Sequence, residues 1–353
     1  MSAADVVIIG GGQAGLATAH VAAARGLRPL VLEAQAGPGG SWPSYYDSLT
    51  LFSPAGYSAL PGLAFPGDPQ HYPLRDEVVD YLTAYTARLA AEVRFGSPVT
   101  RVEPDDDGFG VTTADGTVVR ARSVVAATGG FGSPYRPALP GLDDFTGTVL
   151  HSAQYRNAAP FAGARVLVVG GGNSAVQIAV ELAATARVTL TTRGPLRFQP
   201  QRYLGRDFHW WLHRTGLDSS RLGPRLARGP VPVIDDGRYR AALRAGRPDH
   251  RPLFARLDGD RAVWSDGASE RVDTVLLATG YRPHLPFLDG TGALDAYGVP
   301  MHEGGLSTAV PGLGFVGLER QRSFASATLR GVGRDAAHVL GALRPARHAA
   351  TRG

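Results

Sequence analysis

The 353-residue chain has no cysteine and no lysine; all 36 of its basic residues are arginine. Without a thiol there is no dithiol relay, no thiolate nucleophile and no cysteine-ligated metal. Without a lysine amine there is no Schiff-base chemistry. Long hydrophobic runs are missing too. "DVVIIGGG" and "RVLVVGGG" are strand-length and end in glycine, far short of the roughly 20 apolar residues of a membrane span. The N-terminus has neither the basic start nor the apolar stretch of a secretion signal, so the expected location is cytoplasmic. The formal charge is +5, yet the arginines form no stripe or block, which argues against a nucleic-acid surface. "RDFHWWLH" sets His209 and His213 one helical turn apart but offers no acidic third ligand, so no metal site is expected. Difficult chemistry must then be carried by something the chain binds.

An internal repeat says what that is. "VVIIGGGQAG" at 6–15 is echoed by "VLVVGGGNSA" at 166–175, and "ADGTVVRARSVVAATG" at 114–129 aligns without a gap on "SDGASERVDTVLLATG" at 265–280. Each half reads as a buried strand, a glycine turn, a helix, and later a hairpin whose last strand ends in Ala-Thr-Gly. The Asp-Gly pairs are the hairpin turns. In the first copy Gly10, Gly12 and Gly15 give G-x-G-x-x-G. The first glycine permits a tight turn, the second lets a pyrophosphate approach the backbone, and the third lets helix and strand pack closely. The phosphates then meet the unpaired N–H groups of the helix start. Glu33 closes the next strand-like run, where an acid accepts hydrogen bonds from a ribose and repels a 2′-phosphate. This site is expected to hold FAD or NAD.

In the second copy Gly170, Gly172 and Ala175 give G-x-G-x-x-A, and the following run "RVTLTTRG" ends in Thr192-Arg193 in place of an acid. An arginine there can grip a 2′-phosphate in bidentate fashion, the NADP solution, while the threonines leave NADH admissible. One site suited to FAD and one to NADPH imply hydride transfer from nicotinamide to flavin.

The stretch "FTGTVLHSAQY" at 145–155 is F-x-G-x-x-x-H-x-x-x-Y. It resembles the fingerprint of the flavin-containing monooxygenases, relatives of the Baeyer–Villiger monooxygenases. The resemblance extends to "GGSW" at 39–42, "GGGNSA" at 170–175, "LATGY" at 277–281 and "FASATLRGVGRDA" at 324–336. "YDSLTLFSPAGYSALPGLAFPG" at 46–67 looks most like the short bacterial members, including those encoded beside arsenic-resistance genes. The resemblance implies an NADPH- and O2-dependent enzyme in which a C4a-hydroperoxide of FAD passes one oxygen to a small soft nucleophile. It places cofactor contacts at Gly40, Ser41, Trp42, Thr128, Asn173, Ser174, Thr279 and Gly280. It also sets a helix start near Ser326, Ala327 and Thr328 toward the flavin pyrimidine. His151 and Tyr155 are expected to fix the relative pose of the two nucleotides, not to move protons. Where animal members carry an asparagine beside the flavin, this chain has Phe52 and Ser53.

The expected fold is α/β with two dinucleotide-binding, Rossmann-like domains, the NADP domain (153–280) inserted into an FAD domain (1–152 and 281–353). Substrate is expected in the cleft between them, with the aromatic segment 206–213 at its entrance. A small molecule and O2 are the expected partners; the oligomeric state is open, a homodimer among the options. Two rival readings keep the same nucleotide sites: a pyridine-nucleotide flavoprotein reductase or oxidase, and a non-enzymatic redox sensor.

Overall fold

The structure is a computed structural model that describes residues 4–220 and 232–343. Strand β1 (Ala4–Ile9) leads through the glycine turn into helix α1 (Gln13–Ala24) and back to β2 (Pro29–Leu32), which pairs parallel to β1. Such right-handed crossovers cover a parallel sheet on both faces, so its strands read as unbroken apolar runs. Accordingly all four residues of β2 and the last four of β1 are buried. Strand β3 (Val118–Ala126) flanks β1 on the other side, also parallel. It is the last member of an antiparallel meander with Val99–Asp105 and Gly108–Thr113. The turn before β3 is the expected Asp-Gly hairpin, with the Asp115 carboxylate accepting from the Thr117 N–H at 3.0 Å. Leu313–Phe315 pairs parallel to β3, and among the described residues this sheet has nine strands. The C-terminal helix Leu329–Ala342 lies on α1, burying Val332, Ala336 and Val339 with Leu16, Ala19 and Val31.

The second sheet is parallel throughout. Strands β4 (Thr148–His151), β5 (Arg165–Val169), β6 (Arg187–Thr192), β7 (Asp249–Pro252) and β8 (Thr274–Leu277) lie in the order β7-β6-β5-β8-β4. Helix α2 (Asn173–Leu182) crosses from β5 to β6 and buries Val176, Ile178, Ala179 and Leu182 against Val166, Val168 and Leu190. The two halves of the repeat thus fold alike. They differ in one respect: the strand that is continuous in β3 is broken in the second copy into Ser269–Arg271, in a separate three-stranded sheet, and β8.

The domain boundary falls earlier than expected. β4 pairs with β8, so Thr148–His151 is an edge of the second sheet, and Leu142 and Phe145 already pack in its core with Leu167, Val169 and Trp264. The chain leaves the first domain in the 130s. It returns after β8, since Leu285 and Phe287 pack with Val7 and Phe315. The outgoing and returning segments run side by side. Tyr135 N–H donates to Gly280 O at 2.9 Å, Arg282 N–H donates to Ser133 O at 3.0 Å, and the Arg282 guanidinium lies 3.8 Å from the Tyr135 ring centroid. Among the described residues no helix is long and apolar enough to cross a membrane.

Candidate functional site

The first glycine turn shows why each glycine is needed. At Gly10, φ is +106° and an added Cβ would lie 2.7 Å from Ala127 O; at Gly15 it would lie 1.8 Å from Gly10 O. Those two positions are closed by the protein itself. At Gly12 the backbone is ordinary, φ −76°, and an added Cβ meets nothing within 4 Å. The open space lies at the N-cap of α1, and no side chain caps that helix. This is the geometry of a backbone cradle left free for an anion. Glu33, buried at the end of β2, accepts from Gly11 N–H through Oε2 and from Gln35 N–H at 2.7 Å through Oε1. It braces the turn and keeps lone pairs able to accept further hydrogen bonds. Thr128 is exposed just past β3.

Two further segments close on this turn. Gly40, with φ +57°, packs so tightly that a Cβ would stand 2.7 Å from the Gly12 Cα. Ser41 then starts the short 3-10 turn Trp42–Ser44. The Trp42 indole N–H donates to Gln13 Oε1 at 2.6 Å, and Gln13 Nε2 donates to Ala327 O at 2.7 Å. Ala327 is held at φ +69°. Ser326 Oγ accepts from the Arg322 and Ser323 N–H groups, while the Thr328 hydroxyl turns back to Ala325 O and leaves the C-terminal helix without a side-chain cap. Gln13, which sequence reasoning did not single out, therefore ties together all three segments expected around a flavin.

The second turn repeats the pattern. A Cβ at Gly170 would lie 2.3 Å from Ala278 O, whereas one at Gly172, the N-cap of α2, meets nothing within 4 Å. Ala175 stands where the first copy has glycine and is fully buried. Asn173 Oδ1 accepts from Ile234 N–H at 3.0 Å, and Ser174 follows it in the uncapped first turn. Thr279 donates its hydroxyl to Tyr135 O at the crossing. Arg193 is exposed just beyond β6 and forms no ion pair among the described residues.

The fingerprint stretch has a steric explanation. A Cβ at Gly147 would lie 2.5 Å from Asp273 O and 2.7 Å from the Phe145 ring, so glycine is needed for β4 to seat beside β8. His151, at the end of β4, is buried. Its Nδ1 accepts from Ala153 N–H at 3.1 Å, which makes Nε2 the donor to Gly280 O, also at 3.1 Å. Burial holds the His151 pKa below its ordinary value, so the imidazole is a neutral strut between the two crossings. Tyr155 is buried with its ring 6.0 Å from that of Tyr46. Burial, then the nearby Glu181 carboxylate, pushes its pKa up. Neither residue is placed to exchange protons with solvent.

Phe52 and Ser53 have different surroundings. Ser53 Oγ lies 2.9 Å from Ser58 Oγ inside its own loop. The Phe52 ring stacks at 6.0 Å on His209 of α3 (Phe208–Thr215), and Tyr57 stacks on the same imidazole at 6.4 Å. His209 is buried and its Nδ1 lies 2.9 Å from Asp207 Oδ1. Asp207 Oδ2 accepts from the Tyr72 hydroxyl at 2.6 Å and from Gln201 Nε2 at 2.8 Å. Burial raises the Asp207 pKa, but the bonds from His209, Tyr72 and Gln201 outweigh it and hold the carboxyl below its usual range. Gln201 Nε2 also donates to Phe52 O at 3.0 Å. An amide does reach this loop, from far along the chain. Farther on, Asp218 and Arg330 form a buried two-point ion pair at 2.9 Å. The segment 201–218 thus straps the second domain to both parts of the first. The segment 206–213, expected at a substrate entrance, lies beside the Phe52 loop.

A cavity of about 440 Å³ opens at the opposite, N-terminal ends of β5 and β6, among Arg165, Arg187, Arg247 and Arg271. Nucleotide sites in such folds lie at the carboxyl ends of the strands, where both glycine turns are.

A family model described as pyridine nucleotide-disulphide oxidoreductase matches residues 7–207. An uncharacterized CzcO-like oxidoreductase of Geobacillus kaustophilus is 34% identical over 95% of this chain and 97% of its own length. Indole-3-pyruvate monooxygenase YUCCA1 of Oryza sativa subsp. japonica is 31% identical over 79% of this chain and 77% of its own. The solved structure of a flavin-containing monooxygenase from Stenotrophomonas maltophilia superposes with a TM-score of 0.86 at 34% identity, covering 97% of this chain and 98% of that one.

Proposed function

This chain belongs to the flavin monooxygenases within the pyridine nucleotide-disulphide oxidoreductase family, and from that premise we propose that it binds FAD at the Gly10–Gly15 turn and NADPH at the Gly170–Ala175 turn, and transfers one atom of O2 to a small soft nucleophile such as a sulfide or an amine. The absence of cysteine removes the dithiol relay that the family name refers to. The observation that carries the reading is the pair of open cradles: Gly10 and Gly15 in the first turn and Gly170 in the second are closed by protein atoms, while the middle glycine, Gly12 or Gly172, faces empty space at an uncapped helix start. Both cradles fit a pyrophosphate.

FAD held at the first turn would supply the oxygen activation, and NADPH held at the second the reducing equivalents. The chain's own residues bind and orient. Glu33 receives the adenosine ribose of FAD, and Arg193 the 2′-phosphate of NADPH. Gln13 holds the "GGSW" loop and the start of the C-terminal helix in register, so that the helix N-terminus favours negative charge on the flavin pyrimidine. His151 holds the crossings at a fixed spacing, which matters because a displacement of about 1 Å between reacting groups costs on the order of a hundredfold in rate. The strap 201–218 holds the Phe52 loop in place through His209 and Gln201.

Oxygen uptake by the purified FAD-loaded protein with NADPH and a thioether tests the proposal. Sulfoxide formed in proportion to NADPH consumed supports it. Reduction of an added quinone or dye with no oxygen incorporated overturns it in favour of a reductase, and no turnover with any acceptor favours a sensor.

A further inference from the structure

The 2′-phosphate site assigned above to Arg193 has a neighbour that the sequence pattern does not disclose. Thr192 closes β6 and is buried. Its hydroxyl donates to Gly194 O at 2.7 Å, across the residue that carries the guanidinium, and stands 2.9 Å from His250 Nε2. A hydroxyl has one hydrogen, and this one is spent on Gly194 O. The imidazole must therefore be the donor, as Nε2–H. His250 sits on β7, paired with Leu190 on β6. Leu190 and Thr192 share a face of the strand, so the alternation of side chains brings the imidazole to the threonine.

We propose that His250 is a specificity-determining residue for the coenzyme: through Thr192 it pins the Thr192–Gly194 turn, so that Arg193 is preset to receive a 2′-phosphate. The inference rests on the NADPH reading of this site. The other charged groups on β7 are already engaged. Arg251 pairs with Asp249 at 2.8 Å and lies 4.9 Å from the Trp264 ring centroid. Burial lowers the His250 pKa, against a smaller opposing effect of Asp249, in keeping with a neutral donor. A flexible Arg193 would give up side-chain and loop freedom on meeting the phosphate; a pinned turn gives up less.

The test is calorimetric titration of the FAD-loaded protein with 2′,5′-ADP and with 5′-AMP, which differ in the 2′-phosphate alone. His250→Ala is expected to weaken 2′,5′-ADP about two- to tenfold, the range for one hydrogen bond, and to leave 5′-AMP unchanged. His250→Gln, whose amide restores an N–H donor, is expected to recover the loss. Equal weakening of both ligands, no weakening, or failure of the glutamine to rescue would overturn the inference. Arg193→Ala separates this from the reading beneath it. If that variant loses the preference for 2′,5′-ADP while His250→Ala keeps it, the role of His250 alone is wrong. If Arg193→Ala keeps the preference, the 2′-phosphate assignment itself fails and the inference falls with it.

Discussion

Replacing Gly12 by valine separates a ligand site from a folding requirement. The backbone at Gly12 has φ −76° and ψ −173°, an extended conformation open to any residue, and an added Cβ meets nothing within 4 Å. The folded protein should therefore accept the side chain. Substituting a glycine whose conformation is compatible usually gains about 0.4–1 kcal/mol through the unfolded state. The pyrophosphate does not share that tolerance, because the new methyl groups fill the space it needs. Lifting it from two backbone donors removes roughly 3–6 kcal/mol at 1.5–3 each, a factor on the order of 10² to 10⁴ in affinity. The assay is flavin content per chain from the visible spectrum, with the melting temperature measured on apoprotein. Gly12→Val should be colourless, with an apoprotein melting temperature no lower than that of the parent. Gly15→Ala is the control: its Cβ would stand 1.8 Å from Gly10 O, so it should lower the melting temperature with or without flavin. A yellow Gly12→Val protein with full occupancy would refute the assignment of this turn to the cofactor.

The second turn has its own signature: Arg193→Ala should raise the NADPH Michaelis constant about ten- to a hundredfold, for the loss of one charge-assisted pair at roughly 1.5–3 kcal/mol, and leave NADH nearly unchanged. Steady-state kinetics with both coenzymes checks this, and equal effects would make Arg193 a bystander. Asp207→Asn should cost about 1–3 kcal/mol at pH 7, since it weakens the bonds to Tyr72, His209 and Gln201. The Asp207 pKa is depressed in the folded state, so its contribution is complete above the unfolded value near 3.9 and is lost as pH falls through the folded one. Denaturant melts of both proteins should therefore converge in acid, and a gap that persists unchanged at low pH would contradict the ionised role.

The glycine turns were legible in the sequence because their requirements are local. A φ of +106° at Gly10 and a strand–helix contact at Gly15 leave a pattern within six residues. The paired architecture was legible for the same reason, twice over. The boundary was not, because β4 is placed by a partner more than a hundred residues later, and "TVLH" alone does not say which sheet it joins. Long-range side-chain contacts were hidden in the same way. Gln13 meets Ala327 across 314 residues, Gln201 meets Phe52 O across 149, and Tyr72 meets Asp207 across 135. A polar residue at an unremarkable position carries no periodic signal; only its partner in space gives it a role. The departure at Phe52 and Ser53 was visible, but not that Gln201 brings an amide to the same loop.

His151 gives the sharpest contrast between position and proton transfer. With Nδ1 accepting from Ala153 N–H and Nε2 donating to Gly280 O, both nitrogens are engaged and neither is free to carry a proton to a substrate. His151→Ala leaves Ala153 N–H without its acceptor, at about 1–3 kcal/mol for that unsatisfied donor, and takes one of the two donors from Gly280 O, which keeps the bond from Tyr135 N–H. It also loosens the crossing where Tyr135 meets Gly280. The two nucleotide sites then lose their fixed spacing, so the expected result is a larger share of NADPH oxidised to hydrogen peroxide and less product per NADPH. The shape of the pH–rate profile should stay as in the parent. Had His151 been the acid or base, removing it would abolish one limb of that profile. Peroxide and product assays from pH 6 to 9 with a good thioether substrate decide between the two. A lost limb with unchanged coupling would show that the imidazole moves a proton after all, and that its two hydrogen bonds do not describe its part in the reaction.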